Sequence, residues 1–168
     1  RINEAVNILN LSEDEIIVNV QGDEPFIEVE VVQAVINRVK QIKENNEDIM
    51  ITSCFKEISS ELADDPNHVK VVLDEHSNAI YFSRAKVPYH RDHHENATYS
   101  GHLGIYGFTK KSLNEFCKLP SSKLENIEKL EQLRAIDNGH KIAMVKVVSK
   151  SFGIDTQEDL NNAIKIFG

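Results

Sequence analysis

Short apolar runs alternate with helical stripes along almost the whole of this sequence, and no other feature narrows its fold so far. EIIVNV (15–20), IMITSCF (49–55), HLGIYGFT (102–109) and KIAMVKVV (141–148) have the length and polar flanks of buried strands. Between them the spacing turns helical. Residues 2–10 align Ile2, Val6 and Leu9, residues 28–45 carry a stripe from Val29 through Val35 and Val39 to Ile42, and KSLNEFCKL follows HLGIYGFT. SSELADDPNH reads as a short helix stopped by Pro66, and residues 121–140 as one long helix capped by Ser121 or Ser122 and stopped by Gly139. Thr156 and Asp159 have capping-box spacing at the start of a last helix. VKVVLDEHSNAIYFSR (69–84) is a hairpin turning across Asp74–Asn78, and residues 85–100 show no period, so they form a loop excursion. The alternation predicts an α/β fold: a mixed, mostly parallel sheet with helices on both faces.

At 168 residues the chain is of single-domain size, with a core of its own. No apolar run approaches the roughly 18 residues of a membrane helix, and the opening RINEAVNILNLSEDE lacks the pattern of a secretory leader. Cys54 and Cys117 have neither metal-site spacing nor a disulfide framework, which makes a reducing, cytoplasmic setting the expectation. A net charge of −8 argues against a nucleic-acid surface, which needs a basic stripe, but does not exclude a small anionic substrate held by a local cluster of cations. The first residue, Arg1, is not Met, so the sequence is expected to start inside a longer protein.

Four places put polar groups where a core would not want them. In VNVQGDEPFI a strand runs into Gln21, Gly22, Asp23 and Glu24. Open α/β folds bind ligands at such carboxyl ends, and a carboxylate there suits a hard cation, although an acidic turn can equally be mere solvation. Arg84 ends the second arm of the hairpin, as a fork for carboxylate or phosphate or as a surface ion pair. His102 and Tyr106 share one face of their strand, as a pocket wall or as satisfied core groups. Glu131, beside Gln132, projects between Leu124 and Ile127 in the long helix, where a carboxylate must be paired or face a cleft. Asp155 follows the last strand, as a further acid of the site or as helix-entry chemistry. The histidines of HRDHH (90–94) lie too close together for a helix-borne metal pair and belong to a solvated loop.

In order, VNVQGDEPF, AIYFSRAKVPY, HLGIYGF, LEQLRAIDNGHKIAMVKV and GIDTQEDL resemble the 3-deoxy-manno-octulosonate cytidylyltransferase family over nearly the whole chain. The resemblance implies a Rossmann-like nucleotidyltransferase sheet with a smaller dimerisation excursion, a homodimer, Mg²⁺ as cofactor, and CTP and 3-deoxy-manno-octulosonate (Kdo) as substrates, giving CMP-Kdo and pyrophosphate for lipopolysaccharide synthesis. It implies that Asp23 and Asp155 hold the metal and are catalytic. Gln21, Arg84, His102, Tyr106, Glu131 and Gln132 would bind the sugar, with Arg84 on its carboxylate. Family members also carry a basic, glycine-containing loop that cradles the CTP phosphates, and these 168 residues contain none. The expectation is therefore a fragment, a single cytidylyltransferase domain without its nucleotide-binding segment and inactive alone. QGDEP and HLGIY favour Kdo over sialic acid and leave an 8-amino sugar open. A non-catalytic dimerisation or binding module is the alternative from another class.

Overall fold

The computed structural model describes residues 1–22, 24–92 and 97–151, and positions 157, 160, 161, 164 and 165. Its elements run α1 (Ile2–Ile8), β1 (Ile16–Val20), α2 (Val29–Asn45), β2 (Ile51–Ile58), α3 (Ser60–Asp64), β3 (Lys70–Leu73), β4 (Ala79–Ser83), β5 (Tyr99–Thr109), α4 (Lys110–Lys118), α5 (Lys123–Glu128), α6 (Leu133–Asp137) and β6 (Ile142–Lys146). The sheet has the order β4-β3-β5-β2-β6, with β1 also paired to β5. The class is the expected one, α/β with a mixed sheet flanked by helices, but the balance within the sheet differs. Among the described strands only β2–β6 is parallel, because the long β5 runs against β1, β2 and β3, and β3 against β4. Hydrophobic pattern reports which residues are buried, not the direction in which neighbouring strands run.

Val31 and Val35 of α2 pack on Cys54, Leu103 and Ile105, which closes one face of the sheet. The other face is covered by α1, α4 and α6, whose Val6, Leu113, Leu133 and Ala135 join Ile51, Phe55, Phe82 and Ile142. Side chains as fully enclosed as Ile105 and Leu133 each contribute on the order of 2 kcal/mol. In β1 only Ile17 is buried and Val20 is 40% exposed, so this strand is less enclosed than its apolar run suggests.

The hairpin turns where expected. The Asp74 carboxylate accepts from the backbone N–H groups of His76 and Asn78. Ser59 caps α3 through the Leu62 N–H. The long helix expected over 121–140 is instead two short ones, α5 and α6, separated by Lys129 in the left-handed conformation at φ 56°. Ser122 and Glu125 form a reciprocal capping box at the start of α5, and Gly139 (φ 80°) follows α6 in a conformation that favours glycine. Thr156 and Asp159 lie outside the described residues. Among the described residues no helix is long and apolar enough to cross a membrane.

Candidate functional site

The period-two alternation of β5 sets His102, Gly104 and Tyr106 on one face and the buried Leu103, Ile105 and Gly107 on the other. The rings of His102 and Tyr106 stand 5.5 Å apart, and Phe82 meets His102 edge-on at 4.9 Å. Gly104 between them allows a close approach, since a Cβ there would come within 3.1 Å of the Gln21 side-chain oxygen. Gln21 thereby lies across β5, donating its own N–H to the Gly104 carbonyl. Burial holds the His102 imidazole down to a pKa of about 3, so it is neutral at ordinary pH.

Behind this wall the β2–β5 ladder is irregular. Ser53 pairs with Tyr106 and Cys54 with Leu103, so Gly104 and Ile105 have no opposite number on β2. Such bulges re-aim side chains, and here one leaves the Ile105 carbonyl for the fully buried Ser53 hydroxyl, which donates to it at 2.7 Å. The same hydroxyl lies 2.9 Å from His102 Nε2.

Arg84 sits at a corner built by groups that the sequence did not advertise. Lys70, fully enclosed, donates to the carbonyls of Asp65 (3.0 Å) and Arg84 (2.7 Å), and burial lowers its pKa. Glu128 accepts from the Arg84 N–H (2.9 Å), Ser83 (2.7 Å) and Tyr81 (3.2 Å). Burial opposes ionisation of Glu128, but these donors outweigh it and hold its pKa low. The Arg84 guanidinium itself donates from Nε to the Glu128 carbonyl (2.8 Å) and from Nη1 to that of Pro66 (3.1 Å). A guanidinium has five N–H donors, so this leaves others for a ligand.

Glu131 and Gln132 are not on a continuous helix. Glu131 lies in the turn between α5 and α6 and is exposed, and Ile127 is 65% exposed, so the expected apolar stripe around Glu131 does not form. Gln132 is 4% exposed and accepts from the Tyr106 hydroxyl at 3.3 Å, while its Nε2 is buried with no partner among the described residues. Glu125 and Arg134 fork together beneath the turn, Arg134 Nε donating to Glu125 Oε2 at 2.9 Å and Nη2 to Oε1. The hydrogen bonds from Arg134 hold the Glu125 carboxyl down to about 2.

Gln21, Arg84, His102, Tyr106, Glu131 and Gln132 all line one cavity of about 540 Å³. Despite the net charge of −8, its described lining holds Arg1, Lys56, Arg84 and Lys129 against the carboxylates of Glu24 and Glu131 only. Asp23 and Asp155 lie outside the described residues, and among the described ones no cluster of three His, Cys, Asp or Glu could hold a metal. Their flanks do meet: Glu24, 7% exposed, accepts from the Ser151 hydroxyl at 2.9 Å and from the Gly104 N–H at 3.3 Å. Lys56 donates to the Ser151 carbonyl beside it. Ser53, Lys56, Lys70 and Glu128 escaped sequence reading. The one available signal was a run of polar residues inside otherwise apolar strands, such as Thr52-Ser53 in IMITSCF.

Residues 1–142 match the family described as Cytidylyltransferase. The chain belongs to this family. It is 54% identical to a 3-deoxy-manno-octulosonate cytidylyltransferase of Wolinella succinogenes over the whole of this chain and 70% of that protein. It is 52% identical to the enzyme of the same name from Helicobacter pylori, over 98% of this chain and 66% of the relative. Among solved structures it superposes on CMP:2-keto-3-deoxy-manno-octonic acid synthetase complexed with CTP, with a TM-score of 0.82 and 32% identity, covering 98% of this chain and 66% of that one. A putative glucose-1-phosphate thymidylyltransferase from Bacillus anthracis shares the fold alone, with a TM-score of 0.54 and 15% identity. The chain thus spans about two thirds of the length of these cytidylyltransferases.

Proposed function

We propose that this chain forms the sugar-binding part of an enzyme that transfers CMP from CTP to Kdo. The observation that carries this reading is the convergence of the six polar side chains on one locally cationic cavity. Such a lining suits a sugar acid bearing several hydroxyls and a carboxylate. The anomeric hydroxyl of Kdo attacks the α-phosphorus of CTP and pyrophosphate leaves. The protein's contribution is positioning: Arg84 holds the sugar carboxylate, and His102, Tyr106, Glu131 and Gln132 hold hydroxyls, with Gln21 beside them.

Asp23 and Asp155 are the residues that would hold Mg²⁺, which neutralises phosphate charge when bound. The Glu24–Ser151 hydrogen bond supports this pairing, because it ties the neighbour of Asp23 to a residue four positions before Asp155. A homodimer in the cytoplasm completes the reading, supported by the family resemblance. The 168 residues alone are expected to release no pyrophosphate, in keeping with the expectation that the phosphate cradle lies outside them.

The test is pyrophosphate release by the complete gene product, supplied with CTP and Kdo, before and after Arg84→Ala. A bidentate guanidinium–carboxylate contact contributes about 1.5–3 kcal/mol, so the KM for Kdo should rise roughly tenfold to a hundredfold, with that for CTP little changed. Equal losses on both substrates would assign Arg84 to the Lys70–Glu128 corner instead.

A further inference from the structure

The Ser53 hydroxyl has one proton, and the Ile105 carbonyl at 2.7 Å can only accept. Both contacts are hydrogen bonds at once only if that proton goes to Ile105, and the contact of 2.9 Å with His102 then runs the other way, from an Nε2–H on the imidazole into a Ser53 lone pair. A neutral imidazole carries a single N–H, so Nδ1 is left as an acceptor. Nδ1 has no hydrogen-bond partner among the described residues, and His102 lines the cavity. The commitment of the proton originates in the backbone. The irregularity at Gly104 and Ile105 frees the carbonyl, and Ser53 is fully enclosed, away from bulk solvent.

We propose that Ser53 is a positioning residue that locks His102 in its Nε2–H tautomer, so that Nδ1 faces the cavity as an acceptor for a substrate hydroxyl. His102 then selects for an O–H donor at that point of the sugar, and a ligand with only an acceptor there is rejected. This assignment rests on the reading of the cavity as a sugar site. The tautomer itself does not.

Two readouts separate them. In ¹⁵N-histidine-labelled protein without substrate, long-range ¹H–¹⁵N correlations should show His102 protonated at Nε2 at neutral pH. A His102 protonated at Nδ1 would overturn the proposal outright, and that measurement needs no variant to fold. In the complete gene product, Ser53→Ala should mix the tautomers and raise the KM for Kdo about fivefold to tenfold, leaving the KM for CTP unchanged. Ser53→Thr, which keeps the hydroxyl, should restore both. A folded Ser53→Ala protein with wild-type tautomer and wild-type KM for Kdo would sink the positioning role. A wild-type enzyme that makes no CMP-Kdo would overturn the sugar reading, and with it the hydroxyl selection, while the tautomer measurement still decides the lock.

Discussion

Two walls of the cavity are held in place by polar contacts of different kinds. Beneath the turn that carries Glu131 and Gln132, a carboxylate and a guanidinium meet in a charged fork, Glu125 with Arg134. On β5 a hydroxyl and an imidazole meet without net charge, Ser53 with His102. Both acidic groups, the Glu125 carboxyl and the His102 imidazolium, titrate below their ordinary range, for opposite reasons. The fork keeps Glu125 ionised because the guanidinium rewards its charge, and burial keeps His102 neutral by taking water away from its charged form. Each contact suits its place. A turn between two short helices needs a partner of directional strength, whereas a strand already registered by its ladder needs only a correctly placed proton.

The largest effect is expected at the fork. Arg134→Ala leaves the Glu125 carboxylate, 8% exposed, without its main partner, a loss on the order of 3 kcal/mol in chemical denaturation. The folded pKa of Glu125 lies below its unfolded value, so its contribution is complete above about pH 4.5 and is lost as pH falls toward 2. Glu125→Gln should flatten stability in that window and leave behaviour above pH 5 parallel to wild type. A loss under about 0.5 kcal/mol for Arg134→Ala would show the fork to be an ordinary surface pair.

These walls differ also in how far the sequence reveals them. The shared face of His102 and Tyr106 follows from period two, a local rule that the irregularity in β5 does not upset, since two residues are left over and parity is kept. Ser53 was invisible because its acceptor is a carbonyl 52 positions away, freed by a break in pairing that no residue type announces. The α5–α6 break was hidden for a related reason. Lys129 adopts the left-handed conformation without being glycine or asparagine, and the helical period runs past it in the sequence. The sheet's direction reversals were hidden as well, because burial pattern is blind to strand polarity. Asp23 and Asp155 stood out by their places after apolar strands, and the family resemblance supplied their shared role on a metal.

A smaller effect distinguishes holding the turn from using it. Gln132 sits at the tip of the charged wall with a buried Nε2 that has no partner among the described residues, an arrangement that costs stability unless a ligand fills it. Gln132→Leu removes that unpaired donor together with the acceptor of the Tyr106 hydroxyl, and the two changes oppose each other. Stability should stay within about 1 kcal/mol of wild type, while the KM for Kdo rises roughly tenfold. A stability loss comparable to that of Arg134→Ala, with an unchanged KM, would make Gln132 part of the wall's frame.

The smallest effect tests the neutral wall by pH. An unfolded histidine takes up a proton near pH 6.5, but folded His102 does so only near pH 3, so the unfolded state binds more protons between those values. Stability contributed by the neutral imidazole is complete above pH 6.5 and declines as pH falls toward 3. Between pH 7 and 5.5 the decline should be about 1 kcal/mol. His102→Gln removes the titration but keeps a side-chain amide that can reach Ser53 and donate to its hydroxyl. Subtracting the two pH profiles isolates His102 from every other group, because the remaining histidines and carboxylates are common to both proteins. A difference that grows on acidification in this window, before the Glu125 window opens, is the outcome expected of a wall kept in place without charge. Parallel profiles from pH 7 to 5.5 would mean that folded His102 takes up its proton as an unfolded histidine does, and the contrast between the two walls would be lost.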